Sequence, residues 1–506
     1  MLKYFRLFFT AVSVGISTAI LYTAYDEYID KKIVNYVATW APPPSTPSIT
    51  SNPIPTSTES TITKTTTTTS NDIEKPFSVE ISGLGIANGI VHNLYDNVVV
   101  VRKIPFAKPP IGDLRFNAPR IERDWSTYAH VDMDSSLAVL NGTGNSQQCF
   151  QSQDSSEDTK SSEDCLYLDI YIPKSAIEND TVKYPVYLYF HGGAFHIGNS
   201  TVIDGSYIAA TQNIIVIAAN YRLGVFGFWC HEDFEARMDL EHDLSFNDQL
   251  LYSGNQGLMD QQMAMIWTRE YVLSIGGDPE RITIGGMSAG AQSINAHAVM
   301  LSSAPLFDKM ISISAPNGIP YYNVTEAQPI YEQIAGNLGC CRFQSTTWGS
   351  CNGGVVKECV MGKSSQEINL EAWKIRQFLS VDPQRITMIA EPFHPTWNTA
   401  LLEKMPYYHI ADGELIDKPF FVDTADNEGW GFIPKAFQGI GGNGNQVQED
   451  RWERLLQFLF EDDFETVIQF YKCPCPSCEC WPVADEFLTD FTWYCNLRFI
   501  KDIIYM

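Results

Sequence analysis

The chain has 506 residues, 44% hydrophobic and 19% charged, which is enough apolar material for a large globular core. A formal net charge of −26 and a pI near 4.6 exclude the cationic face that phosphate backbones require, so nucleic acid is not an expected partner. The acidic surface serves solubility, with attraction of cationic substrates to a cleft as the alternative.

In chain order, the first element is an uncharged run from Leu7 to Tyr25, preceded by Lys3 and Arg6 and ended by Asp26. It approaches the ~20 residues of a membrane span and is longer than the apolar core of a cleaved signal peptide. The expectation is a signal anchor within residues 1–32, with the N-terminus cytoplasmic and the rest lumenal or extracellular. Cleavage near Ala24 would instead give a secreted protein. Residues 33–76 follow as a stalk, since 41–72 are almost entirely Ser, Thr and Pro and too poor in apolar side chains to fold. Sequons at Asn141, Asn179, Asn199 and Asn323 agree with a secretory route. The twelve cysteines are then expected to be paired.

Residues 77–506 read as one α/β domain. "KYPVYLYFHGG" and "NIIVIAANYRLG" are short, continuously apolar runs ending in turns, as buried parallel strands do. "GLMDQQMAMIWTREYVLSIGG" has helical periodicity, with Met259, Met263, Ile266 and Trp267 on one face and a glycine pair at its end. A strand, "RITIGG", comes next. This order predicts a mostly parallel central sheet with helices on both faces.

The strand runs into Gly286-Met287-Ser288-Ala289-Gly290, the G-x-S-x-G pattern of a nucleophile elbow. Such a turn projects the Ser288 hydroxyl above the sheet, where it needs a base to take its proton. "FHGGAF" follows another strand and offers backbone N–H groups for an oxyanion. Gly193, Ala194 and Ala289 are the candidate donors, with Gly192 shaping the loop.

With these residues in view, the chain resembles the type-B carboxylesterase and cholinesterase family of the α/β-hydrolase fold. The stretches that carry the resemblance are "IPFAKPPIGDLRF", "SSEDCLYLDIYIP", "FHGGAFHIG", "NYRLGVFGF", "GNQGLMDQQMAMIW", "IGGDPERITIGGMSAG" and "DNEGWGF". They run from about residue 80 to the C-terminal end. The resemblance implies that Ser288 is the acyl-forming nucleophile and Glu428 the acid that orients a histidine. It implies an oxyanion hole of Gly193, Ala194 and Ala289. It also implies a first disulfide, Cys149–Cys165, a buried Arg115–Glu163 salt bridge, and a second disulfide among Cys340, Cys341, Cys351 and Cys359. No cofactor and no metal are implied; the partner is a small-molecule ester.

Several features depart from the family. Its order is Ser, Glu, His, yet all nine histidines here precede Glu428 and the chain stops at Met506. On the resemblance, the expected base lies beyond that point, as does the partner of Cys495. His191, His196 and His394 are the candidate substitutes. Met287 stands where the family usually has Glu, which means either a lost carboxylate or an apolar gap-filler. No aromatic ring follows Phe150 in "QSQDSSEDTKSSEDC", where cholinesterases carry a tryptophan for quaternary ammonium, so choline specificity is not expected. "YKCPCPSCECWP" holds Cys473, Cys475, Cys478 and Cys480; disulfides are expected over metal there, and the cluster could supply a mate for Cys495.

Three functions compete. One is a membrane-displayed or secreted carboxylic ester hydrolase working through an acyl-serine. The second is an inactive esterase fold used at a surface for adhesion or recognition of a protein partner. The third is a shortened product that folds poorly.

Overall fold

The computed structural model describes residues 75–128, 130–131, 137–151, 161–179, 181–231, 234–236, 251–252, 254–341, 356–379, 393–429, 464–473, 480–495, 497–498 and 500, with 449, 452–453 and 456–457. The expected anchor and stalk lie outside these residues. No helix among the described residues is long and apolar enough to cross a membrane.

Fifteen strands are described, in chain order β1 (Pro76–Ile81), β2 (Gly85–Val91), β3 (Val98–Pro105), β4 (His130–Val131), β5 (Ala138–Asn141), β6 (Gln148–Cys149), β7 (Ser161–Ser162), β8 (Tyr167–Pro173), β9 (Tyr184–Phe190), β10 (Ile215–Ala219), β11 (Glu235–Ala236), β12 (Leu251–Tyr252), β13 (Gly277–Met287), β14 (Lys309–Ile313) and β15 (Phe420–Asp423). Eleven of them form one sheet in the order β15-β14-β13-β9-β10-β8-β3-β2-β5-β4, with β1 on β2.

The sheet is α/β in class, as read from the sequence, but it is mixed where a mostly parallel one was expected. β10, β9, β13, β14 and β15 run parallel, and β2 with β5. The pairs β1–β2, β2–β3, β3–β8, β8–β10 and β4–β5 are antiparallel. For β1, β2 and β3 the physical reason is connection length. They are joined by links too short for a helical crossover, so they can only pair antiparallel.

The parallel half positions the site. β9 and β10 are buried almost throughout, as their unbroken apolar sequences require. Register aligns Phe190 with Gly286, Met287 with Ile313, and Ile313 with Asp423. The carboxyl ends of β9, β13, β14 and β15 therefore form one row, and whatever follows each strand emerges on the same edge.

The helix Gln256–Tyr271 forms where expected and passes into a 3-10 turn closed by Gly276 at φ 81°. Met259, Met263 and Trp267 are fully buried and Ile266 partly so. The helix is not one-sided, however, because its polar residues are buried too. Asp260 receives both Nε (2.8 Å) and Nη2 (2.8 Å) of Arg222, together with the Arg222 backbone N–H (3.0 Å). Gln261 donates to Ser293, and Gln262 to Ser302 and Ser303. Polar groups can be buried here because each finds a partner.

The expected Arg115–Glu163 pair is present and bidentate, at 2.7 and 2.5 Å. Arg115 also donates to the carbonyls of Met361 (3.2 Å) and Lys363 (2.7 Å), and Ser365 donates to Glu163, which ties this pair to the helix Ser365–Leu379. Cys149–Cys165 forms as expected. Cys340 pairs with Cys359, which places a disulfide within the expected set, and Cys341 is also disulfide-bonded, to a residue outside those described. Cys473 pairs with Cys480, and no cluster among the described residues could hold a metal. With those two cysteines joined to each other, Cys495 remains a free thiol, and burial pushes its pKa up to about 12.

Arg222 and Asp260 are 3% and 0% exposed, so removing one partner strands the other's charge in the core. Arg222→Met is expected to destabilise the fold by about 3–5 kcal/mol in urea unfolding, and the double change Arg222→Met, Asp260→Leu to recover most of that loss. Equal unfolding midpoints for Arg222→Met and the parent would contradict this account.

Candidate active site

The elbow is built by steric exclusion. β13 ends at Met287 and the helix Ala289–His297 starts two residues later. No smooth path joins them, and Ser288 adopts φ 56°, ψ −123°. A non-glycine residue reaches that region only when its surroundings hold it there. Here the Ser288 N–H donates to the Ile313 carbonyl of the neighbouring strand (3.0 Å), and the Ser288 carbonyl accepts from Gln292 N–H (2.9 Å). A Cβ on Gly286 would lie 2.4 Å from the Gly290 backbone, and one on Gly290 would lie 2.1 Å from the Phe190 carbonyl. Both positions of the pattern therefore need glycine, and the helix start is drawn down onto the end of β9.

Ser288 is partly exposed, and its Oγ hydrogen-bonds to none of the described residues. Ala289, one of the predicted donors, is the first residue of the following helix, where backbone N–H groups have no partner within the helix.

The second segment is the loop after β9. A Cβ on Gly192 would meet the Ser288 Cβ at 3.1 Å and the Met287 carbonyl at 2.7 Å, so the loop lies directly against the elbow. Gly193, Ala194 and Phe195 all have positive φ (112°, 54° and 61°). Phe195 is fully buried against Phe228 and Tyr321 and anchors the turn. The structure thus brings Gly192, and with it the start of the loop that continues through Gly193 and Ala194, to the elbow that carries Ser288 and Ala289.

Glu428 follows β15, two strands from β13 along the same edge. Its Oε1 accepts from Thr424 Oγ1 (3.0 Å) and Ala425 N–H (2.9 Å), while Gly429 N–H donates to Thr489 Oγ1 (3.0 Å) and fixes the residue after it.

No described histidine joins these two side chains. His191 is buried, stacks on Tyr221 at 4.4 Å, and donates from Nδ1 to the Gly192 carbonyl (2.8 Å). His394 donates from Nδ1 to the Pro395 carbonyl (2.9 Å) and stacks on Tyr322 and Tyr321. His196 is buried in the loop after β9. His297 lies between Ser303 and Gln261, and His409 bonds Glu414. The three candidate substitutes are thus in the core around the loop, and none bonds Ser288 Oγ. Met287 is 44% exposed, so it fills no core gap; an uncharged thioether stands beside the serine.

Two supports were not found from sequence. Tyr221 donates to the His191 carbonyl (2.6 Å), and the Gln151 side chain pairs with the backbone of Gly198. Both residues lie in or next to conspicuous stretches, but their partners are 30 and 47 positions away, so no local pattern announces them.

A model of the carboxylesterase family matches residues 76–473, and the chain belongs to that family. It is 29% identical over 423 residues to the cAMP-regulated D2 protein of Dictyostelium discoideum, covering 83% of this chain and 70% of that protein. It is 30% identical over 350 residues to liver carboxylesterase 1F of Rattus norvegicus, covering 67% of this chain and 57% of the relative. The match therefore spans little more than half of the rat enzyme's length. Among solved structures, a PNB esterase superposes with a TM-score of 0.62 at 24% identity, over 83% of this chain and 76% of that one. A thermophylic PNB esterase gives 0.60 at 26% identity, over 83% and 75%. These likenesses agree with the esterase fold inferred from the motifs.

Burial holds His191 and His394 neutral, with pKa values lowered to about 4, and His297 lowered to about 3. In the unfolded chain each titrates near 6.5, so below that pH the unfolded state binds more protons than the fold. Stability is fully present above pH ~6.5 and is lost as pH falls toward 3–4, by up to about 1.4 kcal/mol per pH unit for each histidine. Urea midpoints measured at pH 7.5, 6 and 5 should fall in that order. A flat series would mean that these rings are not held neutral.

Proposed function

We propose that this chain is a carboxylic ester hydrolase that works through an acyl-serine at Ser288 on neutral small-molecule esters. The observation that carries the reading is the contact of Gly192 with a serine held in a strained elbow, since it sets backbone donors beside a nucleophile. In the proposed reaction Ser288 Oγ attacks the ester carbonyl, and the N–H groups of Gly193, Ala194 and Ala289 take the oxyanion. Collapse of that intermediate breaks the C–O bond and expels the alcohol, which leaves with the serine proton; water then hydrolyses the acyl-serine to the carboxylic acid and free Ser288. Glu428, with Oε1 already held by its own loop, would present Oε2 to the base. An exposed Met287 in place of a carboxylate favours uncharged substrates over cationic ones.

One observation favours the second reading, an inactive surface module that recognises a protein partner. No described histidine bonds Ser288 Oγ. Loss of the base in a serine protease costs roughly 10⁶ in turnover, while oxyanion hole and binding retain about 10³–10⁴ over water. Retention of Ser288, its glycines and Glu428 weighs toward chemistry. We further propose membrane display through residues 1–32, with the folded domain lumenal or extracellular. The disulfides Cys149–Cys165, Cys340–Cys359 and Cys473–Cys480 support an oxidising compartment.

Hydrolysis of an activated aryl ester by the parent should exceed that of Ser288→Ala, and a fluorophosphonate should label the parent alone. Gly192→Ala, which drives a methyl group against Met287 and Ser288, should lower the acylation rate about 100-fold or more with the circular dichroism spectrum unchanged. Equal turnover in parent and Ser288→Ala, with no adduct on a folded sample, would favour the recognition module.

A further inference from the structure

The loop that carries the oxyanion donors closes on itself. The Gly193 carbonyl accepts from His196 and Ile197 N–H, both at 3.1 Å. The chain then returns so tightly that a Cβ on Gly198 would lie 2.6 Å from the Gly192 carbonyl oxygen and 2.3 Å from His191 Nδ1. Gly198 has φ 121°, open only to glycine, and it forms the outer wall of the Gly192–Gly193 peptide.

Gly198 is itself gripped from outside the loop. Gln151 Nε2 donates to the Gly198 carbonyl (2.5 Å), and Gly198 N–H donates to Gln151 Oε1 (3.2 Å). A primary amide carries a donor and an acceptor on one edge, so it can satisfy both backbone groups of a single residue. Gln151 is 8% exposed, where an amide side chain is costly unless its polar atoms are paired. Its own backbone is held by Asn369 Nδ2 on its carbonyl (3.0 Å) and by Cys149–Cys165 two residues away. Asn199 Nδ2 to Gln148 Oε1 (3.3 Å) and Asn220 Nδ2 to the Gln147 carbonyl (2.8 Å) complete the attachment of this segment.

We propose that Gln151 is a positioning residue for the oxyanion loop: its amide clamps Gly198 and thereby fixes the direction of the Gly193 N–H. The mechanical link is peptide planarity. The Gly192 carbonyl and the Gly193 N–H belong to one trans peptide and point in opposite directions. Pinning the oxygen between His191 Nδ1–H and Gly198 leaves the N–H a single orientation. The inference rests on the reading of Gly193 and Ala194 as oxyanion donors, but the clamp itself is measurable without any activity.

The test uses the full chain with Gln151→Met, which keeps the volume and removes both hydrogen bonds, and Gln151→Glu. Amide hydrogen exchange at His196, Ile197 and Gly224, whose N–H groups bond within the loop or to it, should speed up at least 10-fold in Gln151→Met while the sheet strands stay protected. Acylation of Ser288 by a fluorophosphonate should slow by about 10- to 100-fold through the rate step, with half-saturation nearly unchanged. Gln151→Glu should resemble Gln151→Met at neutral pH and regain loop protection relative to it as the carboxyl protonates, because only the acid form donates to the Gly198 carbonyl. Unchanged exchange in Gln151→Met overturns the clamp, and so does faster exchange spread over the whole sheet, which would make Gln151 a scaffold residue. If the parent shows no acylation while exchange responds as stated, the esterase reading fails and the clamp stands.

Discussion

The site depends on one steric fact, which is that backbone lies where side chains would otherwise be. The Phe190 carbonyl sits within 3 Å of the position a Cβ would take on either Gly286 or Gly290. That approach locks the end of β9 to the elbow after β13 and forces Ser288 into a conformation that neither strand nor helix supplies. Side chains at both glycines would part the two segments, and with them Ser288 and the loop that begins at Gly192. The strain at Ser288 is sustained because hydrogen bonds to Ile313 and Gln292 hold it from both sides.

Much of this was legible in the sequence for a physical reason. Parallel strands buried on both faces must be continuously apolar, so "YPVYLYF" and "IVIAA" stood out, and the elbow glycines are demanded locally. The same logic explains what was missed. Antiparallel pairing of β1, β2 and β3 follows from the short links between them, and its trace in β1 and β2 is an alternation of buried and more exposed residues rather than a continuous apolar run. The helix Gln256–Tyr271 has a periodic apolar face, but the burial of Asp260, Gln261 and Gln262 depends on Arg222, Ser293, Ser302 and Ser303, which arrive from elsewhere in the chain. Long-range polar partners leave no periodic trace.

Buried polarity in this fold falls into two kinds. Arg222–Asp260 and Arg115–Glu163 are ion pairs with several hydrogen bonds each, and they tie separate segments together at a high desolvation cost. The histidines beneath the loop are neutral instead. His191 donates its one ring proton to the Gly192 carbonyl and stacks on Tyr221, so it supports the loop in the state that burial imposes. A ring held that way is poorly suited to accept the serine proton. Its Nε2 is buried and makes no hydrogen bond to Ser288, and burial has lowered its basicity to about 4.

The loop after β9 is therefore supported from two directions with different sensitivities. From inside, the support is an imidazole that stays neutral until strongly acidic pH. From outside, it is the Gln151 amide, on a segment stapled by Cys149–Cys165. A loop held through a disulfide-bonded segment is held most firmly where that disulfide persists, as it does in an oxidising compartment. The membrane display proposed for residues 1–32 would place the domain in such a compartment. Reduction of Cys149–Cys165 would loosen the segment that carries Gln151 and leave the neutral His191 beneath the loop untouched, so the two supports fail under different conditions.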